Sequence, residues 1–208
     1  MLTVGFDLDM TLVDTRPGIA ATFGELTART GVYVDADLAV SRLGPPLAHE
    51  LAYWFPPERV AAAVDEFRAL YRVHAIEPSV PLPGAAGALA AVHAHGGSVL
   101  VVTAKHPPLA RLHLDHLGLA PDVLVGDVWA DGKAMALREY AAQVYVGDHV
   151  ADMAAARATH AVGVGVTTGP CTADELRTAG AHTVLTDLTA FPAWLVRYIS
   201  VGAAPGHD

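Results

Sequence analysis

The sequence predicts an α/β protein: a doubly wound parallel-sheet core with a small inserted α-helical cap. Three observations carry this expectation. Six short apolar runs rich in β-branched residues lack polar alternation, the mark of strands buried on both faces. Helical stretches rich in Ala, Leu and Arg separate the later runs, giving a βα rhythm. The rhythm breaks once, from about Thr15 to Ser79, where helical patterns stand without a convincing strand.

Taken in order, Leu2-Thr3-Val4-Gly5-Phe6 is the first strand. Ala20, Phe23, Leu26 and Ala28 then suggest one amphipathic helix, and Val60, Val64, Phe67, Leu70 and Tyr71 another. Pro45-Pro46 and Pro56-Pro57 break the segment between them, and Pro78, Pro81 and Pro83-Gly84 mark the return to the sheet. Gly84 to His95 and Leu109 to Leu117 read as helices. Val99-Val102, Val123-Val125, Val144-Val146, Val162-Val166 and Val184-Leu185 read as the remaining strands. Thr172-Ala173-Asp174-Glu175 has the form of a helix capping box. The expected division is a core of residues 1–14 and 82–208, with a cap at 15–81. Its hinges fall at Asp14 to Gly18 and Pro78 to Gly84, and residues 202–208 form a frayed tail.

Composition narrows the function classes. Of 208 residues, 52% are hydrophobic and 17% charged, which favours a compact fold over disorder. Acidic residues outnumber basic ones 22 to 13, for a formal charge of −9, a balance that repels nucleic acid and anionic membranes. No apolar run approaches a membrane span, and no signal peptide is expected before Asp7. The single Cys171 excludes an internal disulfide and suits a reducing cytoplasm.

The chemistry-bearing residues lie where strands end. Asp7 and Asp9 follow the first apolar run directly, with Thr11 beyond them. Two neighbouring carboxylates at such a place suggest a metal site, an acid/base pair, or both. The next run leads into Thr103-Ala104-Lys105; Asp131-Gly132-Lys133 opens a helix; and Val144-Tyr145-Val146 leads into Gly147-Asp148-His149-Val150-Ala151-Asp152. Asp148 and Asp152 are four apart, one turn from each other on a helix face. Singly, each has a bland alternative: a turn cap for Asp9 or Thr11, a turn hydroxyl for Thr103, solvated surface for Lys133, a helix-dipole pair for Asp148 and Asp152. Together they sit at one edge of one sheet, where open α/β folds bind ligands. An aspartate nucleophile, carboxylates for Mg²⁺, and a lysine and hydroxyl to hold equatorial oxygens are the requirements of phosphoryl transfer.

Asp7-Leu8-Asp9-Met10-Thr11-Leu12, Val102-Thr103, Lys133 and Gly147-Asp148-His149-Val150-Ala151-Asp152 resemble the four ordered motifs of the haloacid dehalogenase superfamily. Gly165-Val166-Thr167-Thr168-Gly169 and the flow into Asp174-Glu175-Leu176 look like its phosphoglycolate phosphatase-like branch. The resemblance implies a Rossmann-like core with the first strand central. It implies Asp7 as nucleophile and Asp9 as general acid, then base. Thr103 and Lys133 would bind the phosphoryl group, with backbone N–H groups near Asp9, Met10 and Ala104 completing the cradle. Asp148 would hold Mg²⁺ with Asp7 and the Asp9 carbonyl, and Asp152 directly or through water. Met10 stands where many members carry glycine. The second acid, Asp9, favours an alcohol leaving from phosphate over a departing halide.

The expected activity is Mg²⁺-dependent hydrolysis of a small phosphomonoester, phosphoglycolate-like or a sugar phosphate, in the cytoplasm. The expected partner is a small phosphorylated metabolite, with no nucleic acid and no membrane, and the protein a monomer or homodimer. Two rivals stand beside it: a sugar-phosphate mutase of the same superfamily, and a non-catalytic phospho-acceptor or phosphate-binding regulator. Arg16 and Arg42 could reach the substrate from the cap side or sit on the surface. Of the 11 histidines, His149 faces the site mouth or solvent.

Overall fold

The computed structural model describes residues 2–202, so the expected tail lies, past residue 202, outside them. The chain opens with β1 (Thr3–Phe6) and a two-residue strand, β2 (Val13–Asp14). Four helices follow: α1 (Arg16–Thr30), α2 (Ala36–Ser41), α3 (Leu47–Leu51) and α4 (Pro57–His74). After β3 (Val80–Pro81) strands and helices alternate through α5 (Ala85–Ala94), β4 (Ser98–Val102), α6 (Pro107–His116), β5 (Val123–Val125) and α7 (Asp131–Glu139). The rest is β6 (Val144–Gly147), α8 (Val150–Ala158), β7 (Val162–Val166), α9 (Ala173–Ala179), β8 (Thr183–Leu185) and α10 (Phe191–Gly202).

Six strands form an all-parallel sheet in the order β5-β4-β1-β6-β7-β8. The central position of β1 is the one the resemblance implies. Val4 lies between Val99 and Val144. The chain fills one side of β1, then crosses back, so the winding reverses between β1 and β6. Ligands bind at the carboxyl ends of strands beside such a reversal.

Alternation along each strand divides the core into two layers. Val4, Phe6, Val99 and Val101 cluster with Leu89 and Val92 of α5 and with Phe191 of α10. On the opposite face Leu100, Val102 and Tyr145 cluster with Leu137 of α7 and Ala156 of α8. Each such side chain contributes about 1.5–3 kcal/mol on burial. The whole β-propensity scale spans only about 1 kcal/mol, so double-sided burial holds these strands.

The four helices between β2 and β3 carry a cluster of their own, including Phe23, Leu26, Phe67, Leu70 and Tyr71, which Leu109 of α6 joins from the sheet side. Pro17 and Pro57 sit in the first turns of α1 and α4, where no amide donor is needed. The buried stripe of α1 is Ile19, Thr22, Phe23 and Leu26, whereas Ala28 is exposed. The expected stripe is thus right at its centre and rotated at its ends, since Ala is equally at ease on either side of a helix. At the base of these helices β2 and β3 pair antiparallel, Val13 with Pro81 and Asp14 with Val80. Two-residue strands are too short to leave a periodic signal, and the sequence reading has no strand here. The expected capping box forms, with Thr172 as N-cap and Glu175 at N3 of α9.

Candidate active site

Asp7 leaves the end of β1 with its amide donating to the Val146 carbonyl at 2.9 Å, which ties the carboxylate to the β1/β6 reversal. Lys133, only 1% exposed in the first turn of α7, lies between two carboxylates, 3.0 Å from Asp7 Oδ1 and 2.6 Å from Asp152 Oδ1. A cation at a helix N-terminus opposes the macrodipole, so the carboxylates must hold it there. They keep the ammonium charged well above its usual range despite the opposing effect of burial. Asp152 is itself fixed: Tyr145 Oη donates to Oδ1 at 3.2 Å and the His149 amide to Oδ2 at 3.1 Å. Asp148 accepts from Thr11 Oγ1 at 2.7 Å.

Two glycines make room for this cluster. A methyl group at Gly147 would come within 2.4 Å of Asp152 Oδ2, and one at Gly169 within 1.7 Å of Asp148 Oδ2. Neither position admits a side chain without displacing the carboxylate.

Asp9 has different company. Lys105 Nζ donates to its Oδ1 at 2.5 Å and Thr15 Oγ1 to the same oxygen at 2.6 Å. Burial works to raise this carboxyl, but Lys105 and the Thr15 hydroxyl hold it below the usual carboxylate range. Lys105 lies 4.9 Å from the ring centre of Tyr71 on α4, whose hydroxyl is 2.8 Å from His113 Nε2 on α6. Burial raises the Tyr71 phenol to about 12 and, with Lys105, lowers the His113 imidazole to about 3.

Asp7, Asp9, Thr103, Ala104 and Asp148 all line one cavity of about 200 Å³ between the sheet edge and the helices that follow β2. Met10 also lines it, in left-handed backbone (φ 61°), the conformation that suits a glycine. Its amide, however, donates to the Val13 carbonyl at 2.8 Å, so the expected phosphoryl donor at Met10 is already engaged. Arg42 lines the cavity too, held by Glu50 through Nε at 3.0 Å and Nη2 at 2.5 Å. Arg16 is paired with Asp14 at 2.7 Å, half exposed, and does not line it. His149 lines the cavity, its Nδ1 accepting the Ala151 amide at the start of α8. Lys105, Thr15, Tyr145 and Tyr71 are the site neighbours that sequence reasoning leaves out. Only Lys105 had a signal, two residues past Thr103 on the same strand-end loop.

The donor set fits a hard divalent cation. Asp7, Asp148 and Asp152 each offer an oxygen within 4.8 Å of the others, and all three are buried. Burial, with Asp152 and Asp9 adding to it, raises Asp7 to about 7 even against Lys133. Burial and the neighbouring Asp7 and Asp152 push Asp148 well above its usual range. Three buried carboxylates facing one ammonium leave negative charge uncompensated, and an all-oxygen set of this kind suits Mg²⁺.

An open parallel α/β sheet with an acid cluster and a buried lysine at its winding reversal carries the groups that phosphoryl transfer requires. Residues 4–157 match the family model of haloacid dehalogenase-like hydrolases, and the chain belongs to that family, in its phosphoglycolate phosphatase-like branch. It is 31% identical to "Probable phosphatase IndB" of Dickeya dadantii, over 86% of this chain and 87% of that protein. It is 28% identical to a phosphoglycolate phosphatase of Caulobacter vibrioides, over 98% and 94%. Among solved structures, a haloacid dehalogenase-like hydrolase from Streptococcus pneumoniae superposes with a TM-score of 0.80 at 22% identity, covering 96% of this chain and 98% of that one. Among the described residues no helix is long and apolar enough to cross a membrane.

Proposed function

We propose that this chain hydrolyses a small phosphomonoester in the cytoplasm, with Mg²⁺, through an aspartyl-phosphate on Asp7. The observation that carries the reading is the buried Lys133 ammonium, bridged between Asp7 and Asp152 beside Asp148. An ammonium there can accompany an incoming phosphate to the Asp7 carboxylate, which would otherwise repel it.

In the first half-reaction an Asp7 oxygen bonds to phosphorus as the bond from phosphorus to the alcohol oxygen breaks. Asp9 supplies the proton that leaves with the alcohol. Thr103 and Lys133 hold the equatorial oxygens as charge shifts. In the second half Asp9, now ionised, takes a proton from water; the new oxygen bonds to phosphorus and Asp7 is released as carboxylate. The pairing of Asp9 with Lys105 favours this second, basic form. Mg²⁺, held by Asp7, Asp148 and the Asp9 carbonyl, with Asp152 directly or through water, would supply charge neutralisation. The helices at 15–81 act as a cap that excludes water in the first half and opens for release, swinging on the β2–β3 ribbon.

The test is phosphate release from a panel of phosphorylated metabolites with Mg²⁺, beside Asp7→Asn. Turnover in the native chain and a loss of about 10³-fold or more in the variant are expected. Equal turnover in both would end the reading.

A further inference from the structure

The cavity above Asp7 also bears on what the phosphate is attached to. Resting on the phosphatase reading, we propose that the leaving alcohol is uncharged and carbon-rich, and that the cleft disfavours esters carrying a second anion such as a carboxylate.

The first argument is charge. Among the described residues that line the cavity, each lysine and arginine is already matched to a carboxylate: Lys105 to Asp9, Arg42 to Glu50, and Arg68 to Asp127 at 3.3 Å. His106 turns to Asp127 as well, at 2.8 Å. Lys133 is taken by Asp7 and Asp152 and belongs to the transferring phosphoryl group. Apart from Asp7 and Asp148, which face Lys133 and the metal in the phosphatase reading, the lining holds three carboxylates (Asp9, Glu50 and Asp127) against those three cations. A substrate carboxylate would enter a partly desolvated space in which each lining lysine and arginine is already paired. It could gain a partner only by stripping one from a carboxylate already there.

The second argument is that Arg42, on the wall of the cavity, is held in place. Arg42 meets Glu50 through two donors and lies over the Tyr53 ring at 4.6 Å and the Trp54 ring at 5.7 Å. Trp54 Nε1 donates to Glu50 Oε1 at 2.8 Å and fixes the acid in turn. The third argument is the wall itself. Phe23, Leu43, Leu47, Val64, Phe67 and Leu109 line the part contributed by the helices and by α6. Such a surface gains from a hydrocarbon and offers an anion nothing.

Initial rates with Mg²⁺ on phosphoglycolate, isobutyl phosphate (its neutral match in heavy atoms) and benzyl phosphate test the proposal. The same series on Glu50→Gln follows. The expected kcat/KM order is benzyl, then isobutyl, then phosphoglycolate, with at least tenfold between the last two. Freeing Arg42 in Glu50→Gln should raise the ratio of phosphoglycolate to isobutyl phosphate about tenfold. Phosphoglycolate equal to or better than isobutyl phosphate in the native chain would overturn the proposal, as would a ratio that Glu50→Gln leaves unmoved. Phosphate release from all three in the wrong order rejects the substrate class alone. Release from none of the three, with release from the metabolite panel, rejects this substrate class; release from neither rejects the phosphatase reading as well.

Discussion

Asp7 and Asp9 stand two residues apart on one loop, and each touches a lysine, yet their surroundings act on them in opposite directions. Asp7 shares Lys133 with Asp152 and lies near Asp148 and Asp9, so burial and like charge outweigh the ammonium and its carboxyl rises to about 7. Asp9 has Lys105 and the Thr15 hydroxyl largely to itself, and it falls below the usual range. What differs is how many carboxylates divide one cation. Titratable neighbours driven apart in this way are how one site obtains two roles from one residue type.

The largest effect is expected from removing the divided cation. Lys133→Met strands Asp7 and Asp152 without their partner; we expect about 3–5 kcal/mol of lost stability by urea denaturation. Phosphate release should fall about 10²–10³-fold. If stability falls while turnover holds, Lys133 is structural only.

Chelation sharpens the same contrast from the other side. Mg²⁺ should be required for turnover and should raise the melting temperature, by an amount equivalent to about 2.7 kcal/mol at a hundredfold excess over its Kd. Lys133→Met should alter that thermal shift far more than Lys105→Met, because the acid cluster sits on the Asp7 side.

Lys105→Met targets the other pair. Without the ammonium the Asp9 carboxyl rises, so as pH falls its ionised form is lost sooner. The acid limb of the kcat profile should therefore move toward neutral pH. An unmoved limb would separate Lys105 from the function of Asp9.

His113 gives an effect confined to stability and absent at neutral pH. Burial keeps its imidazole neutral down to about pH 3, whereas in the unfolded chain it titrates near 6.5. Between those values the unfolded state binds the extra proton. Stability is therefore lost as pH falls below about 6.5, by up to about 1.4 kcal/mol per pH unit. His113→Gln should flatten that slope in urea midpoints measured from pH 7 to pH 4.

Much of the rim was legible because strand ends are legible. Val4 to Phe6, Ser98 to Val102 and Val144 to Gly147 are continuous apolar runs, and the polar residues just beyond them fall on one edge of any parallel sheet. Pairings across long separations were not. Lys105 finds Asp9 from 96 positions away, and Thr11 finds Asp148 from 137. Neither contact has a periodicity to announce it. Arg42 and Glu50 lie just eight apart, but their meeting depends on the turn between α2 and α3, which Pro45 and Pro46 mark without specifying.

Gly169 carries no reactive group, yet its backbone passes where even one carbon would overlap the Asp148 carboxylate. The segment after β7 thus works as a mould for the acid beside it. A mutational survey would score residue 169 among the most intolerant in the protein, although a single hydrogen atom is all that it contributes.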